Sequence, residues 1–412
     1  MSVGSGAVVV GGHANGLGAV RALGERGVRV AVVCTKQADM AHASRFASEA
    51  VRLPSFHAAP ETLLDLLDAR RHDWRGRLLV PTNDEALELF SRHRERLSAD
   101  FCVPVPEWNR VRHVLDKGLT YAAARRVGIR VPEVYGAADR ALLARDDLPF
   151  PMLVKPQISH TFAARYGRKL LVARDRSEFG VIVARLEEDG MQAMAMELIP
   201  GPDSLGYGQC VYIDERRRVR GAFVQHRLRQ SPPYFGVLRV GETCDERRLV
   251  EPTLALLREL DWTGVATANF KRDPRNGEFV LMEVNGRCFL SHGLARRCGL
   301  DCVWLMYAEH ALGAPEDARP NGWQGRWIHL YEDLHWSLGM RGVEQLGLRE
   351  ILAPYRGPKV FAVWSRKDPR PFAWQWRRGA RLLLSKEGRG SAGSGDLFRR
   401  VESMPVAERK TP

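Results

Sequence analysis

Apolar residues come in two rhythms along this chain. Up to about residue 110, short continuous apolar runs alternate with amphipathic stretches: "AVVVGG", "GAVRALGERG", "VRVAVVC", a loop, "PETLLDLLDARR" and "RLLVPTNDEALELF". Runs of this length between helical periods predict a doubly wound α/β unit over residues 1–110. In its last segment a strand leaves into Thr82-Asn83-Asp84 and a helix follows, with Asn83 or Asp84 suited to cap it. Ligands of open α/β sheets gather at such strand ends. From about residue 111 the rhythm changes. "DKGLTYAAARRVGIRVPEVYG" predicts a helix, a glycine stop and an extended segment. "FPMLVKPQ" reads as a buried strand carrying one lysine, followed by the loop "ISHTFAARYGRK" and the strand "LLVARD". The helix "SEFGVIVARLEEDG" and the strand "MQAMAMELIPGPD" close a unit at residue 205. Residues 206–312 predict an antiparallel sheet with helices, and 313–385 an extension. Residues 386–412 are rich in Gly and Ser and are expected to be disordered. No internal repeat is visible.

The glycines of the first turn, Gly11, Gly12, Gly16 and Gly18, do not follow the G-x-G-x-x-G spacing of a dinucleotide site. The second strand ends in Cys34, Thr35 and Lys36, and Asp39 lies too far into the next loop to take the ribose role. A tight βαβ turn is therefore favoured over a nicotinamide site.

With 412 residues the chain is expected to form two to four compact units. At 45% hydrophobic and 27% charged residues it has the composition of a soluble globular protein, with no apolar stretch long enough to span a bilayer. No basic region precedes the first apolar run, so no signal peptide is expected. The seven cysteines are scattered, with no CxxC pair, and Cys298 and Cys302 have no third or fourth ligand nearby. Reduced thiols in the cytoplasm are the simple reading. A net charge of +13 raises the question of an anionic partner. The arginines are spread along the chain, as in "RRHDWRGR" and "DERRRVR", with no nucleic-acid-binding signature. A phosphate-rich small substrate accounts for the charge about as well as nucleic acid does.

The segment 264–287, "GVATANFKRDPRNGEFVLMEVNGR", carries the most chemistry. Asn276-Gly277 suits the positive φ at the end of a short hairpin loop. With a loop at 275–277, Asn269 stands opposite Glu283, and alternation puts Asn269, Glu283 and Asn285 on one face. This is a set of hard oxygen donors, compatible with Mg²⁺ completed by waters and phosphates. Arg287, further along that face, could grip a phosphate in bidentate fashion. A plain polar hairpin face is the alternative. Lys155 is a charge in an otherwise apolar strand, and Lys117 opens a helix after Asp116. A lysine strand, then Glu-Leu-Ile-Pro-Gly-Pro-Asp, then a Glu-x-Asn-x-Arg strand, is an order hard to obtain by chance.

On these motifs residues 3–312 resemble the ATP-grasp superfamily of carboxylate–amine ligases, with looser similarity to about 375. "RLRQSPPYFGV" and "FAVWSRKDPRPF" are similar to segments of ATP-grasp ligases related to D-aspartate ligase. The resemblance implies a pre-ATP-grasp doubly wound α/β domain followed by the two-lobed ATP-grasp fold, α+β in the grasp region. It implies that Lys117 and Lys155 contact ATP phosphates, that the hinge strand with Glu197 and Ile199 pairs with adenine, and that Asp203 holds the ribose. Glu283 and Asn285 would hold Mg²⁺, or Mn²⁺, and Arg287 would contact phosphate or the acyl phosphate. Arg229 matches a basic residue facing the γ-phosphate. The Gly-rich first loop would then line an acceptor pocket. Two departures stand out. Asn269 occupies an upstream metal position that is usually acidic, and the loop after Lys155 has only Gly167 where the family is glycine-rich.

The implied reaction activates a carboxylate as an acyl phosphate, which an amine then attacks. His160 and His292 are expected to be structural or solvent-facing. A non-catalytic nucleotide-binding module is the alternative, and a basic nucleic-acid-binding protein a more distant one. Residues 369–387, "PRPFAWQWRRGARLLLSKE", predict an amphipathic helix with Phe372, Trp376, Ala380 and Leu383 on one face. Arg377, Arg378, Arg381, Lys386 and Trp374 lie mostly off it. That face is expected to pack on the core. The alternative is peripheral contact with the inner membrane surface.

Overall fold

Strand β1 (Ala7–Val10), helix α1 (Ala14–Gly24), β2 (Val30–Cys34), β3 (Glu49–Arg52), helix α2 (Glu61–Ala69), β4 (Leu78–Pro81) and helix α3 (Asp84–Arg92) build a first sheet of four parallel strands. The structure is a computed structural model that describes residues 6–53, 56, 59–156, 170–339 and 346–384. The loop holding His160 and Gly167, and the stretch beyond residue 386, lie outside the described residues. The sheet order is β3-β2-β1-β4. Every residue of β1, β2 and β4 is buried, which is why these strands read as unbroken apolar runs. Both neighbours of β1 follow it in sequence, so the strand order reverses there and opens a crevice at the strand ends. The turn into that crevice requires glycine. Gly11 has φ +97°, and a Cβ on Gly16 would lie 1.9 Å from the Gly11 carbonyl oxygen. Asn83 caps α3 by accepting from the Ala86 amide at 2.8 Å. Asp39 folds back and accepts from the Thr35 and Lys36 amides at 2.7 and 3.0 Å, which closes the end of β2.

Helix α4 (Lys117–Arg126) leads into a second, antiparallel sheet. It comprises β5 (Val134–Ala137), β6 (Met152–Pro156), β7 (Leu171–Ala173) and β8 (Ala193–Glu197), in the order β5-β8-β6-β7. Helix α5 (Arg176–Glu188) packs on it through Phe179, Val183 and Leu186, against Met152, Val154 and Ala195.

The third sheet holds the long strands β9 (Gly206–Ile213), β10 (Val219–Ser231), β11 (Val237–Thr243), β12 (Gly264–Arg272) and β13 (Phe279–Asn285). Helix α6 (Val250–Glu259) connects β11 to β12. Beyond residue 313, β14 (Arg326–Ile328) and β15 (Lys359–Phe361) extend the same sheet, in the order β13-β12-β9-β10-β11-β14-β15. Helix α7 (Leu330–Gly339) lies between them in sequence. It is tied down by Asp333, which is fully buried and accepts from Arg229 and Arg239 at 3.1 Å and from the Tyr355 hydroxyl at 2.7 Å.

Helix α8 (Arg370–Leu384) ends the described chain, and its seating corrects the sequence expectation. The buried residues are Pro371, Gln375 and Gly379, and of the Phe372–Trp376–Ala380 stripe only half-buried Phe372 packs against the core. Trp376 is 38% exposed and Ala380 is exposed. The reason is Gly379. A Cβ there would meet the Tyr331 hydroxyl at 2.6 Å, so the bare backbone lets the helix approach on that flank. The Leu383 side chain and Lys386 lie outside the described residues.

His13, at the first glycine turn, stacks on His329 with ring centroids 6.0 Å apart. Burial, and for His13 also the neighbouring imidazole, pushes both down to about 4. In the unfolded chain they titrate near 6.5. Between those values the unfolded state binds the protons, so stability falls as pH drops from about 6.5 to about 4 and levels off below. The pair is expected to cost on the order of several kcal/mol over that window. Thermal midpoints against pH should show the slope, and His13→Gln/His329→Gln should flatten it.

Candidate active site

One row of residues crosses the third sheet. Glu283 on β13 stands opposite Asn269 on β12, Asn269 opposite Gly208 on β9, and Gly208 opposite Gln225 on β10. The glycines of β9 make this floor possible. A Cβ on Gly208 would lie 2.8 Å from the Gln225 amide nitrogen, and one on Gly206 would lie 2.9 Å from Arg227 Cδ. With no side chains there, those of β10 reach over β9 toward the hairpin.

A continuous polar chain results. Arg227 Nη2 donates to Asn269 Oδ1. Asn269 Nδ2 and Asn285 Nδ2 donate to Glu283 Oε1 at 3.1 and 3.4 Å. Arg287 Nη2 donates to Asn285 Oδ1 at 3.1 Å, and its Nε to Asp84 at 2.7 Å. Since Asp84 opens α3 at the end of β4, the hairpin meets the first sheet at its crevice. Asn269 stands opposite Glu283 as expected and Gly277 has φ +79°, but nearer the turn the pairing is one residue off, with Phe270 opposite Leu281, and a bulge at Met282 brings Glu283 into place.

Burial by itself would raise the Glu283 carboxyl. The positive charges of Lys155, Lys117 and Arg227, with the Asn285 hydrogen bond, override it and hold the group at about 2. Three cations from β6, α4 and β10 thus converge on one carboxylate. Glu283 Oε2 accepts no hydrogen bond among the described residues, which leaves an ionised oxygen for a cation. Among those residues no three His, Cys, Asp or Glu side chains group as a metal site. The hard-cation set is therefore one carboxylate with the amides Asn269 and Asn285.

The hinge strand β8 ends in Glu197, whose carboxylate is paired with Arg130 and Arg275 and accepts from the Glu133 amide. Ile199 is buried, and its carbonyl, with that of Gly201, accepts from Lys271 Nζ at 3.0 and 2.8 Å. Burial pushes that ammonium down to about 8. Lys271 was not singled out from sequence, yet it follows Asn269 by two residues on β12, and the same alternation places it on the site face. Asp203 sits beyond the hinge, and its oxygens accept from Gln230 N, Gln230 Nε2 and Tyr234 N at 2.8, 3.0 and 2.8 Å. It pins the end of β10.

Arg229 stands apart from this cluster, in the buried pairing with Asp333. Its neighbour Arg227 takes the position facing Asn269. A bulge is the cause: Arg227 pairs with Gly241 but Arg229 with Val240, so two steps on β10 match one on β11 and Arg229 turns to the opposite face. His292 is buried with Nε2 3.2 Å from Asp301 Oδ1, a structural role as expected. The seven thiols are free, and burial pushes Cys210 and Cys288 up to about 12, which makes them poor nucleophiles.

A family model described as the carbamoyl-phosphate synthase L chain ATP binding domain matches residues 242–315, from the end of β11 through the hairpin. The chain is 27% identical over 281 residues to a D-aspartate ligase of Enterococcus faecium, a match that covers 64% of this chain and 66% of that one. The matched region thus spans just under two thirds of this relative's length. Among solved structures, an L-amino acid ligase from Bacillus licheniformis superposes with a TM-score of 0.58 at 17% identity, over 78% of each chain. An N5-carboxyaminoimidazole synthetase from Staphylococcus aureus, complexed with ADP, does so at 0.60 and 13%, over 83% of this chain and 87% of that one. The antiparallel lobes, the Glu283-x-Asn285 strand, the matched ATP-binding domain and these relatives agree: the chain has the fold of the ATP-grasp ligases and is similar to them in sequence.

Proposed function

We propose that the protein is an ATP-dependent ligase that activates a carboxylate as an acyl phosphate and joins it to an amine. The observation that carries this reading is the convergence of Lys117, Lys155 and Arg227 on ionised Glu283, with Arg287 beside it at the first-sheet crevice. Cations from two lobes around one carboxylate suit a bound polyphosphate whose metal that carboxylate anchors.

Lys117 and Lys155 bind the phosphates, and the backbone of Glu197 and Ile199 meets the base. Asp203 stands near the ribose, holding the β10 turn. Glu283 and Asn285, with Asn269 as a weak third partner, hold Mg²⁺, for which Mn²⁺ substitutes. The ion, when bound, neutralises phosphate charge as the γ-phosphoryl group transfers. Arg227 and Arg287 stabilise the negative charge on the transferring phosphoryl group and the tetrahedral centre, fixed in place by Asn269, Asn285 and Asp84. The carboxylate attacks the γ-phosphorus, ADP leaves, and the amine then displaces phosphate from the acyl carbon. The acceptor enters between the first-sheet glycine turn and Arg287. Residues 1–110, 111–205 and 206–312 thus act as acceptor unit, small lobe and large lobe.

Asn269 favours one other reading, a module that binds nucleotide without turning it over. Nucleotide thermal shift and phosphate release with pooled amino acids separate the two. The ligase reading expects an ATP-induced rise in melting temperature and phosphate release that depends on added carboxylate and amine. ATP binding with no release across the pools supports the module. Asn269 itself gives a graded test. With Asn269→Asp, a second carboxylate joins Glu283, and the Mg²⁺ concentration for half-maximal activity should fall several-fold. A Mg²⁺ titration showing lower activity and no shift would instead make Asn269 a substrate contact.

No helix among the described residues is long and apolar enough to cross a membrane. We infer peripheral contact with the inner membrane surface through 369–387, because Trp376 and Trp364 are each 38% exposed on or beside α8. We further propose a cytoplasmic location and small-molecule carboxylate and amine substrates.

A further inference from the structure

Helix α8 lies along the segment 41–47 that follows β2. Between them runs a groove of about 660 Å³, lined by His42, Ser44, Arg45, Arg370, Trp374 and Arg377, with no acidic side chain in its wall. Among the described residues, the guanidinium groups of Arg45, Arg370 and Arg377 have no carboxylate partner. The acid closest in sequence, Asp368, is fully buried and already accepts from Arg21 Nε, Ser44 Oγ and the Arg45 amide at 3.0, 2.7 and 2.9 Å. His42 Nδ1 is buried without a hydrogen-bond partner, and its ring stands edge-on to Trp374 at 5.0 Å. Elsewhere this chain pairs its arginines freely, as Arg229 and Arg239 do with Asp333. Three unpaired guanidinium groups around one concavity repel each other unless an anion joins them, and their planar forks fit phosphate oxygens.

The neighbouring flank of α8 says where that anion sits. Phe372 lies between Trp364 and Trp376, at centroid distances of 5.2 and 5.8 Å, and both tryptophans are 38% exposed. Between residues 364 and 381 there are six basic residues, and the single acid is buried Asp368. A phosphate ester free in water has no use for an exposed aromatic border. A bilayer surface has, since tryptophan settles at the headgroup level while arginine meets lipid phosphate.

We propose that the groove between residues 41–47 and α8 binds the phosphate of an anionic phospholipid headgroup and seats the Trp364–Phe372–Trp376 patch in the bilayer interface. This rests on the peripheral contact inferred above and is independent of the ligase chemistry.

Co-flotation of the full chain with phosphatidylcholine vesicles, with and without phosphatidylglycerol, tests it. The wild-type protein should float only with phosphatidylglycerol. Arg45→Ala/Arg370→Ala/Arg377→Ala should weaken that binding roughly a hundredfold, since each basic side chain near an anionic surface contributes about a factor of five. A control with the same charge change at exposed sites elsewhere, Arg71→Ala/Arg112→Ala/Arg216→Ala, should stay close to wild type. Melting temperatures of the variants exclude unfolding as the cause. Equal losses in the groove and control variants, with Trp364→Ser/Trp376→Ser also impaired, would overturn the groove and leave the membrane contact standing. No flotation of the wild type overturns both. Saturable binding of glycerol phosphate in calorimetry without flotation would overturn the lipid assignment and mark a site for a soluble phosphate ester.

Discussion

Glu283→Gln should abolish turnover while the protein stays folded. The substitution keeps shape and leaves an oxygen for Asn269 and Asn285 but removes the only carboxylate of the cation set. Metal charge is the main electrostatic aid to phosphoryl transfer, so the expected loss is on the order of a thousandfold or more in kcat, several kcal/mol of barrier. ATP affinity should change less, because Lys117 and Lys155 remain. The change also leaves Lys155, Lys117 and Arg227 facing each other without their common counter-charge, so a modest fall in melting temperature is expected. Phosphate release measured at saturating Mg²⁺ checks this, and a variant as active as wild type sinks the metal assignment.

Arg227 and Arg229 should part company when each is replaced by methionine. Arg227 reaches over Gly206 to Asn269 at the centre of the polar floor. Losing it removes a positive charge aimed where phosphoryl charge develops, which is expected to cost roughly a hundredfold to a thousandfold in kcat at near-wild-type stability. Arg229 is buried against Asp333 on the other face. Losing it leaves Asp333, which is fully buried, with Arg239 as its one remaining cation among the described residues. Breaking such a pair costs about 3 kcal/mol of stability. Arg229→Met should therefore lower the melting temperature sharply while the folded fraction keeps its kcat. Kinetics and melting curves on the same preparations decide it, and the reverse pattern would restore Arg229 to the phosphates.

Much of the site was legible in the sequence because it rests on local rules. Asn276-Gly277 marks the hairpin turn, and a bulge at Met282 that the sequence does not mark brings Glu283 opposite Asn269. The first sheet was equally plain, since strands buried on both faces read as unbroken apolar runs. The resemblance put Arg229 at the phosphates, but a bulge turns it to the other face of β10 without any mark in the hydrophobic pattern. Lys271 shares the face of Asn269 by simple alternation, but its hinge carbonyl partners come from about seventy residues away, so nothing local marks it as part of the site. On α8 only Phe372 of the apolar stripe packs inward, because close packing at Gly379 rolls Trp376 and Ala380 outward. Strands β14 and β15, three residues each, are too short to show a period at all.

The central claim is that a carboxylate oxygen receives the γ-phosphoryl group. With an amino-acid carboxylate that supports phosphate release, prepared with ¹⁸O in its carboxyl group, mass spectrometry of the released phosphate tests it most directly. The account predicts one ¹⁸O transferred to each inorganic phosphate formed, with the other retained in the amide product. Phosphate free of label, or label recovered in AMP, would contradict it.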